Sequence, residues 1–349
     1  MSRQELYELY LFHGPPEDRA KKSRRTCFFK CFHKQGWDRL LKIRDVAQHA
    51  RCETCARLSK TIHTAPSDAD RKGAEQALRV HRLRNLADRA VAFRLSMLSE
   101  ESTSAEGGNN KHSRVLHVRI DGMDQAKFRC PRNLEDSKAW STMWRPTLHC
   151  VGVIVEGVLE AYYITDQDVK KNSDLEITVL ALALEESKTI LQQRGLSLPE
   201  NLSITYDNTA REGKNQHVAK WMAWLVAEGI FRSVQDGNGQ VGHTHNKLDQ
   251  RFSVVAAVLG RQKVLQTPED VLTVIQQNVH AHGGRELRVS KLEAAWDWQA
   301  FFAPLGIAFS GIAASHSLPD VCHSKRFLCR RDLPTMSLEG MDIVIPPVF

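Results

Sequence analysis

The spacing of apolar positions changes partway along the chain. Between 67 and 99, Ala74, Ala77, Leu78, Leu83, Leu86, Ala90, Phe93 and Met97 recur at helical spacing and predict one long helix or two in tandem. From 116 the period shortens. Leu116, Val118 and Ile120 alternate with polar residues and predict a strand ending at Asp121. Leu148 to Val155 and Val158 to Ile164 predict two further strands around a tight turn at Glu156-Gly157. A helix follows over 174–194, then a strand from Leu202 to Tyr206 that ends at Asp207. His217 to Glu228, bearing Trp221, Trp224 and Leu225, reads as a helix, and Ile230 to Val234 as a short fifth strand. Asn246 opens a helix reaching Leu259, with Leu248, Phe252, Val255 and Leu259 on its buried face. Residues 267–303 read as helical from Pro268-Glu269-Asp270 onward, and the tail from Pro304 as irregular, with a strand at Ile343 to Val344.

Three consecutive strands followed by alternating helix and strand predict an α/β fold, a mixed five-stranded sheet flanked by helices. Residues 1–65 form a Cys/His-bearing N-terminal segment and 66–100 the long helix or helical pair. Residues 101–113, rich in Ser, Gly, Asn and Glu, form a linker. Residues 114–303 make the core with its trailing helices, and 304–349 the tail. No internal repeat is found. The ending Pro346-Pro347-Val348-Phe349 reads as that of a fragment.

With 349 residues, 42% of them hydrophobic, the chain is long enough for two or three domains. Its 48 Lys+Arg against 41 Asp+Glu give a net charge of +7, which favours an anionic partner such as nucleic acid. The basic residues cluster at Arg19, Lys21, Lys22, Arg24 and Arg25, a candidate import or phosphate-contacting patch, and again at Arg79, Arg82, Arg84, Arg89 and Arg94. No signal-peptide core and no membrane-length apolar run is present, so an intracellular, nuclear location is expected. In that setting the eight cysteines are not expected to form disulfides.

The residues that carry chemistry are acids at the ends of elements. Asp121 and Asp207 each close an apolar strand, and Asp249 follows the run Gly242-His243-Thr244-His245-Asn246-Lys247-Leu248. Any one of these aspartates serves equally well to end a strand or start a helix. Three acids from separate elements also form the oxygen donor set that a hard divalent cation takes. His243 and His245, two apart, share one side of an extended segment and suit metal, water or phosphate contacts, or simply hold the loop. Lys214 and Asn215, next to a predicted helix start, suit a phosphate backbone. Asp124 and Glu212 are the competing acids.

The strand order, and the stretches Ile120–Phe128, Tyr206–Asn215 and Gly242–Phe252, resemble a transposase-derived eukaryotic family of integrase-like domains with a ribonuclease-H-like fold. The resemblance covers about residues 50–330 and is strongest in the last two stretches. It implies that Asp121, Asp207 and Asp249 are catalytic and hold two Mg2+ or Mn2+ ions, Asp121 bridging both. It implies DNA strand cleavage and transfer, with DNA as partner, and leaves open a homo-oligomer and a domesticated, inactive copy that only binds DNA or protein. Asp249 stands where retroviral integrases carry Glu, and the paired histidines before it are atypical of those enzymes. The rival enzyme class, a calcineurin-like metallophosphoesterase, uses a Gly-His-Thr-His word. It also requires Asp-x-His and Gly-Asn-His-Glu blocks, whereas this chain has Asp121-Gly122-Met123 and Gly237-Asn238-Gly239.

A second metal is expected near the N-terminus. Cys52 and Cys55 are half of a zinc site, and Cys27 and Cys31 would complete a four-thiolate set, with His49 and His81 as alternative donors. Buried, metal-free thiols explain the same residues equally well.

Overall fold

A computed structural model describes residues 25–37, 52–104, 114–124, 148–206, 216–238 and 247–304, the strands within 328–344, and the isolated positions 6–7, 10, 130–131 and 146. By its contacts the chain divides into two units, Met1–Leu78 and Arg79–Phe349.

The first unit is helical. Helix α1 (Arg25–Lys34) packs Phe28, Phe29 and Phe32 ring against ring, and α2 (Glu53–Thr64) follows. Helix α3 (Asp68–Ser102) begins here and continues into the second unit as one unbroken helix, choosing between the two alternatives that the periodicity allowed.

The second unit is built on a mixed sheet flanked by helices. Its strands are β1 (Val115–Gly122), β2 (His149–Val155), β3 (Leu159–Thr165), β4 (Asn201–Tyr206), β5 (Ser233–Asn238) and β6 (Glu286–Lys291). Short strands β7 (Leu328–Arg330), β8 (Thr335–Leu338) and β9 (Met341–Val344) extend one edge, giving the order β6-β3-β2-β1-β4-β5-β7-β8-β9. Strand β1 is antiparallel to β2 and parallel to β4, β2 is antiparallel to β3, and β4 is parallel to β5. The sheet is therefore wider than the five strands expected from the sequence.

Two cores cover its two faces. Leu116, Val118 and Ile120 of β1 join Leu202, Ile204 and Tyr206 of β4 against α4 (Ser173–Gln193), α5 (Gln216–Ala227) and α8 (Trp298–Phe302). On the other face Cys150, Ile154, Tyr162 and Ile164 meet α6 (Lys247–Arg261) and α7 (Pro268–Asn278). At ~1.5–3 kcal/mol for each fully buried large apolar side chain, these layers are the main favourable term in holding the sheet.

Three elements depart from the sequence reading. The fifth strand begins at Ser233 rather than Ile230, because Gly229 (φ 73) and Ile230 instead complete the turn that ends α5. Residues 267–303 are not one helical stretch. Helix α7 stops at Asn278, Gly283 (φ 68) and Gly284 (φ 71) reverse the chain, and β6 then pairs parallel with β3. The tail, read as irregular apart from a strand at Ile343 to Val344, carries that strand as β9 and two more, β7 and β8.

Candidate functional site

Asp121 lies near the C-terminal end of β1, opposite Gly152 of β2 across the antiparallel ladder. Strand β4, the parallel neighbour of β1 on its other side, ends at Tyr206, so both strands deliver their C-termini to one edge of the sheet. Asp207, the next residue in sequence, lies outside the described residues, as do Lys214, Asn215, His243 and His245.

Asp249 occupies the first turn of α6. This helix comes unusually close to the sheet. A Cβ placed on Gly152 would lie 2.7 Å from Phe252 Cε1 and 2.9 Å from Leu248 Cδ2, so only glycine admits the helix at that depth. Successive helical residues are turned by ~100°, which sends Lys247 and Asp249 to opposite flanks of Leu248. Lys247 and Arg251 reach the β3 flank, where they meet Glu156 in the β2–β3 turn and Glu160 on β3. Helical geometry therefore puts Asp249 on the flank of α6 opposite Arg251, and Asp121 and Asp249 are both half-buried. Asp124, the competing acid, is exposed.

The face of β1 that carries Asp121 also carries His117 and Arg119, and both are buried. Arg119 Nε donates to Glu156 Oε1 at 3.0 Å and its Nη2 to Ser96 Oγ at 2.8 Å. Glu156 Oε2 accepts from Lys247 Nζ at 2.9 Å and from Arg285 Nη1 at 3.1 Å. Burial alone would raise the Glu156 carboxyl, but the hydrogen bonds and charges of Lys247 and Arg119 outweigh it and hold the group below the ordinary carboxylate range. His117 sits between Thr205 of β4, 2.9 Å from Nε2, and Ser96, 3.4 Å from Nδ1. Burial first, then the neighbouring Arg119, pushes its pKa down to about 3, and the imidazole is neutral.

Sequence reasoning passed over Lys171. Its ammonium lies 2.9 Å from where a Cβ on Gly122 would stand, which brings a cation to the same end of β1 as Asp121 but on the face of Val118 and Ile120. Its neighbours Asp166, Asp168 and Lys170 are also charged, so nothing in the local sequence singles it out.

Near the start of α2, Cys52 and Cys55 gather with His81 of α3, their ligand atoms all within 4.8 Å of one another. Two thiolates and an imidazole are donors that zinc accepts, and this group could hold a metal ion such as zinc. The ligand set differs from the four-thiolate expectation. Cys27 and Cys31 lie exposed on α1 and outside the group, and His81 takes the third position. His49 lies outside the described residues. Among the described residues no other cluster of this kind is formed by His, Cys, Asp or Glu, and no helix is long and apolar enough to cross a membrane.

No curated protein and no solved structure matches the chain. One family model does, over residues 138–323, more than half of the sequence. The matched span runs from before β2 to beyond α8 and includes Asp207 and Asp249, whereas Asp121 precedes it. On that match the chain belongs to the family described as a domain of unknown function, DUF7869.

Proposed function

We propose that this chain is a transposase-derived, integrase-like protein with a ribonuclease-H-like core. In this reading Asp121, Asp207 and Asp249 act on DNA phosphodiesters with Mg2+ or Mn2+. The observation that supports it most is the strand arrangement. The order β3-β2-β1-β4-β5, antiparallel through the first three strands and parallel from β1 onward, is the order that reading requires. Asp121 stands near the end of β1, Asp207 follows β4 in sequence, and α6, which carries Asp249 in its first turn, is seated on Gly152, the ladder partner of Asp121.

Carboxylate oxygens are the ligands that hard divalent ions take, and half-buried acids on a strand end and a first helical turn suit such ions. When bound, a pair of these ions supplies Lewis acidity to the attacking and leaving oxygens of an in-line displacement. Asp121 would hold both ions, and Asp207 and Asp249 one each. His243 and His245, which precede Asp249, would line the entry, and Lys214 and Asn215 would meet the phosphate backbone. The charge of +7 favours the polyanion as partner, and a nuclear location follows from this substrate.

The test is Mn2+- or Mg2+-dependent cleavage of end-labelled DNA by the purified full-length chain, compared with Asp121→Asn and Asp249→Asn. Cleavage lost in both variants supports the reading. DNA binding without cleavage at any metal concentration would identify an inactive, DNA-binding descendant instead.

A further inference from the structure

We propose that Glu156 is a positioning residue, a buried carboxylate that sets the placement of Asp249 relative to Asp121. The inference rests on the reading of those two aspartates as metal-holding.

Glu156 is fully buried in the turn between β2 and β3, and its two oxygens are shared among β1, α3, α6 and the approach to β6, with Ser96 Oγ donating to Oε1 at 3.1 Å and Arg285 Nη1 to Oε2 at 3.1 Å. Oε1 accepts from Arg119 Nε at 3.0 Å, and Oε2 accepts from Lys247 Nζ at 2.9 Å. Arg119 stands two residues before Asp121 on the same face of β1, and Lys247 stands two residues before Asp249 at the start of α6. One carboxylate thus ties together the residues that lead into both aspartates. The carboxylate is itself anchored by its backbone. Its N–H donates to His117 O at 3.0 Å, and its carbonyl accepts from Ser99 Oγ at 3.0 Å.

A second clamp acts one helical turn further along. Arg251 Nε donates to Glu160 Oε1 at 2.6 Å, and Arg285 links the two glutamates, 3.1 Å from Glu156 Oε2 and 3.7 Å from Glu160 Oε2. Helix α6 is pinned at residue 251 to β3 and at residue 247 to Glu156, with Glu100 of α3 a further 3.6 Å partner of Lys247, and two pins a turn apart constrain the rotation of the helix about its axis. Leu248 and Phe252 hold α6 down on Gly152 and set its depth, and the ion-paired pins add a directional constraint on its rotation. Asp249, on the opposite flank, points wherever the pins turn it. A buried ion pair is weak evidence for net stability, and we take this one to select a single arrangement of the helix.

The experiment compares the full-length chain with Lys247→Met, Lys247→Arg and Glu156→Gln. Lys247 has a side chain 41% exposed, so its removal leaves Glu156 paired with Arg119 and Arg285 and the fold intact. Amide exchange across 247–252 reads the anchoring, and Mn2+ titration by calorimetry reads its use. Lys247→Met and Glu156→Gln should speed exchange in that turn and weaken Mn2+ binding by about 10–100-fold, the usual effect of losing a partner that orients a ligand. Lys247→Arg should restore both. Trp298→Ala, which destabilises the opposite face of the sheet, should leave Mn2+ affinity unchanged. Unchanged exchange in Lys247→Met, or faster exchange with wild-type Mn2+ affinity, overturns the proposal. Failure of the underlying site shows differently, in a wild-type chain whose Mn2+ binding is absent or survives Asp121→Asn.

Discussion

Gly152 and Phe252 meet at a separation that leaves no room for a side chain: a Cβ on the glycine would lie 2.7 Å from the ring. Because Gly152 pairs with Asp121 across the ladder, this contact sets how closely α6 approaches the candidate site. Gly152→Val should therefore lift or tilt the helix. The expected cost of overpacking is about 1–3 kcal/mol, measured by chemical denaturation. Gly152→Val with Phe252→Leu should recover part of it. A valine tolerated at full stability would show that the helix does not bear on the strand as described.

The buried imidazole of His117 gives stability a pH dependence of definite sign. Its folded pKa is pushed down to about 3, first by burial and then by Arg119, from an ordinary value of 6.5. Below pH 6.5 the unfolded chain takes up a proton that the folded chain refuses, so stability falls as pH drops through 6.5 toward 3. The slope approaches ~1.4 kcal/mol per pH unit. Between pH 6.5 and about 5, above the range in which most carboxylates titrate, His117→Gln should flatten the dependence of the melting temperature on pH. Identical slopes in the two proteins would remove His117 as the cause.

Much of this architecture is legible in residue patterns, and its limits have identifiable physical causes. Strands β1 to β4 announce themselves because Leu116, Val118 and Ile120 and their counterparts face one continuous core. The same alternation misleads about the other face. His117 and Arg119 look like the wet side of a half-buried strand, yet they are buried, because Glu156, Ser96 and Thr205, distant in sequence, satisfy their polar groups. Strand β6 is missed because it is short, follows a helix directly, and owes its pairing to β3 more than 100 residues earlier. The aspartates of the candidate site are legible as strand ends and a helix start. The rotation of the helix that carries Asp249 is not, because it depends on Lys247 and Arg251 finding Glu156 and Glu160, distant in sequence. Cys52 and Cys55 are legible as a pair of candidate metal donors, but spacing leaves Cys27, Cys31, His49 and His81 all open as their partners, and that His81 joins them depends on the fold.

Thiol chemistry separates the cysteines. Cys27 and Cys31 are exposed and should react quickly with a maleimide in the folded chain. Cys150 is buried, which pushes its pKa up to about 12, and should react only on unfolding. If Cys52 and Cys55 hold zinc with His81, chelator should release the metal, expose both thiols to the reagent and lower the melting temperature of the helical region. Cys55→Ser should purify with less zinc. Metal-free protein with chelator-insensitive melting would leave these residues as ordinary packed thiols.

The last expectation follows from placing acids together. Carboxylates gathered around a common point repel one another, and a bound cation offsets that repulsion. A ligand that binds only the folded state stabilises it by mass action, about 2.7 kcal/mol at a hundredfold excess over the dissociation constant. The wild-type chain should therefore melt at a higher temperature with Mn2+ or Mg2+, and Asp121→Asn should lose most of that gain. Asp207→Asn and Asp249→Asn should behave alike. In chelator each variant should melt at the wild-type temperature or above it, since one repulsive charge has gone. An aspartate that merely ends a strand behaves in the opposite way, because its replacement costs stability with or without metal. If Asp121→Asn lowers the metal-free melting temperature and keeps the full response to Mn2+, then Asp121 is scaffolding, and the nuclease reading loses the ligand on which its two ions depend.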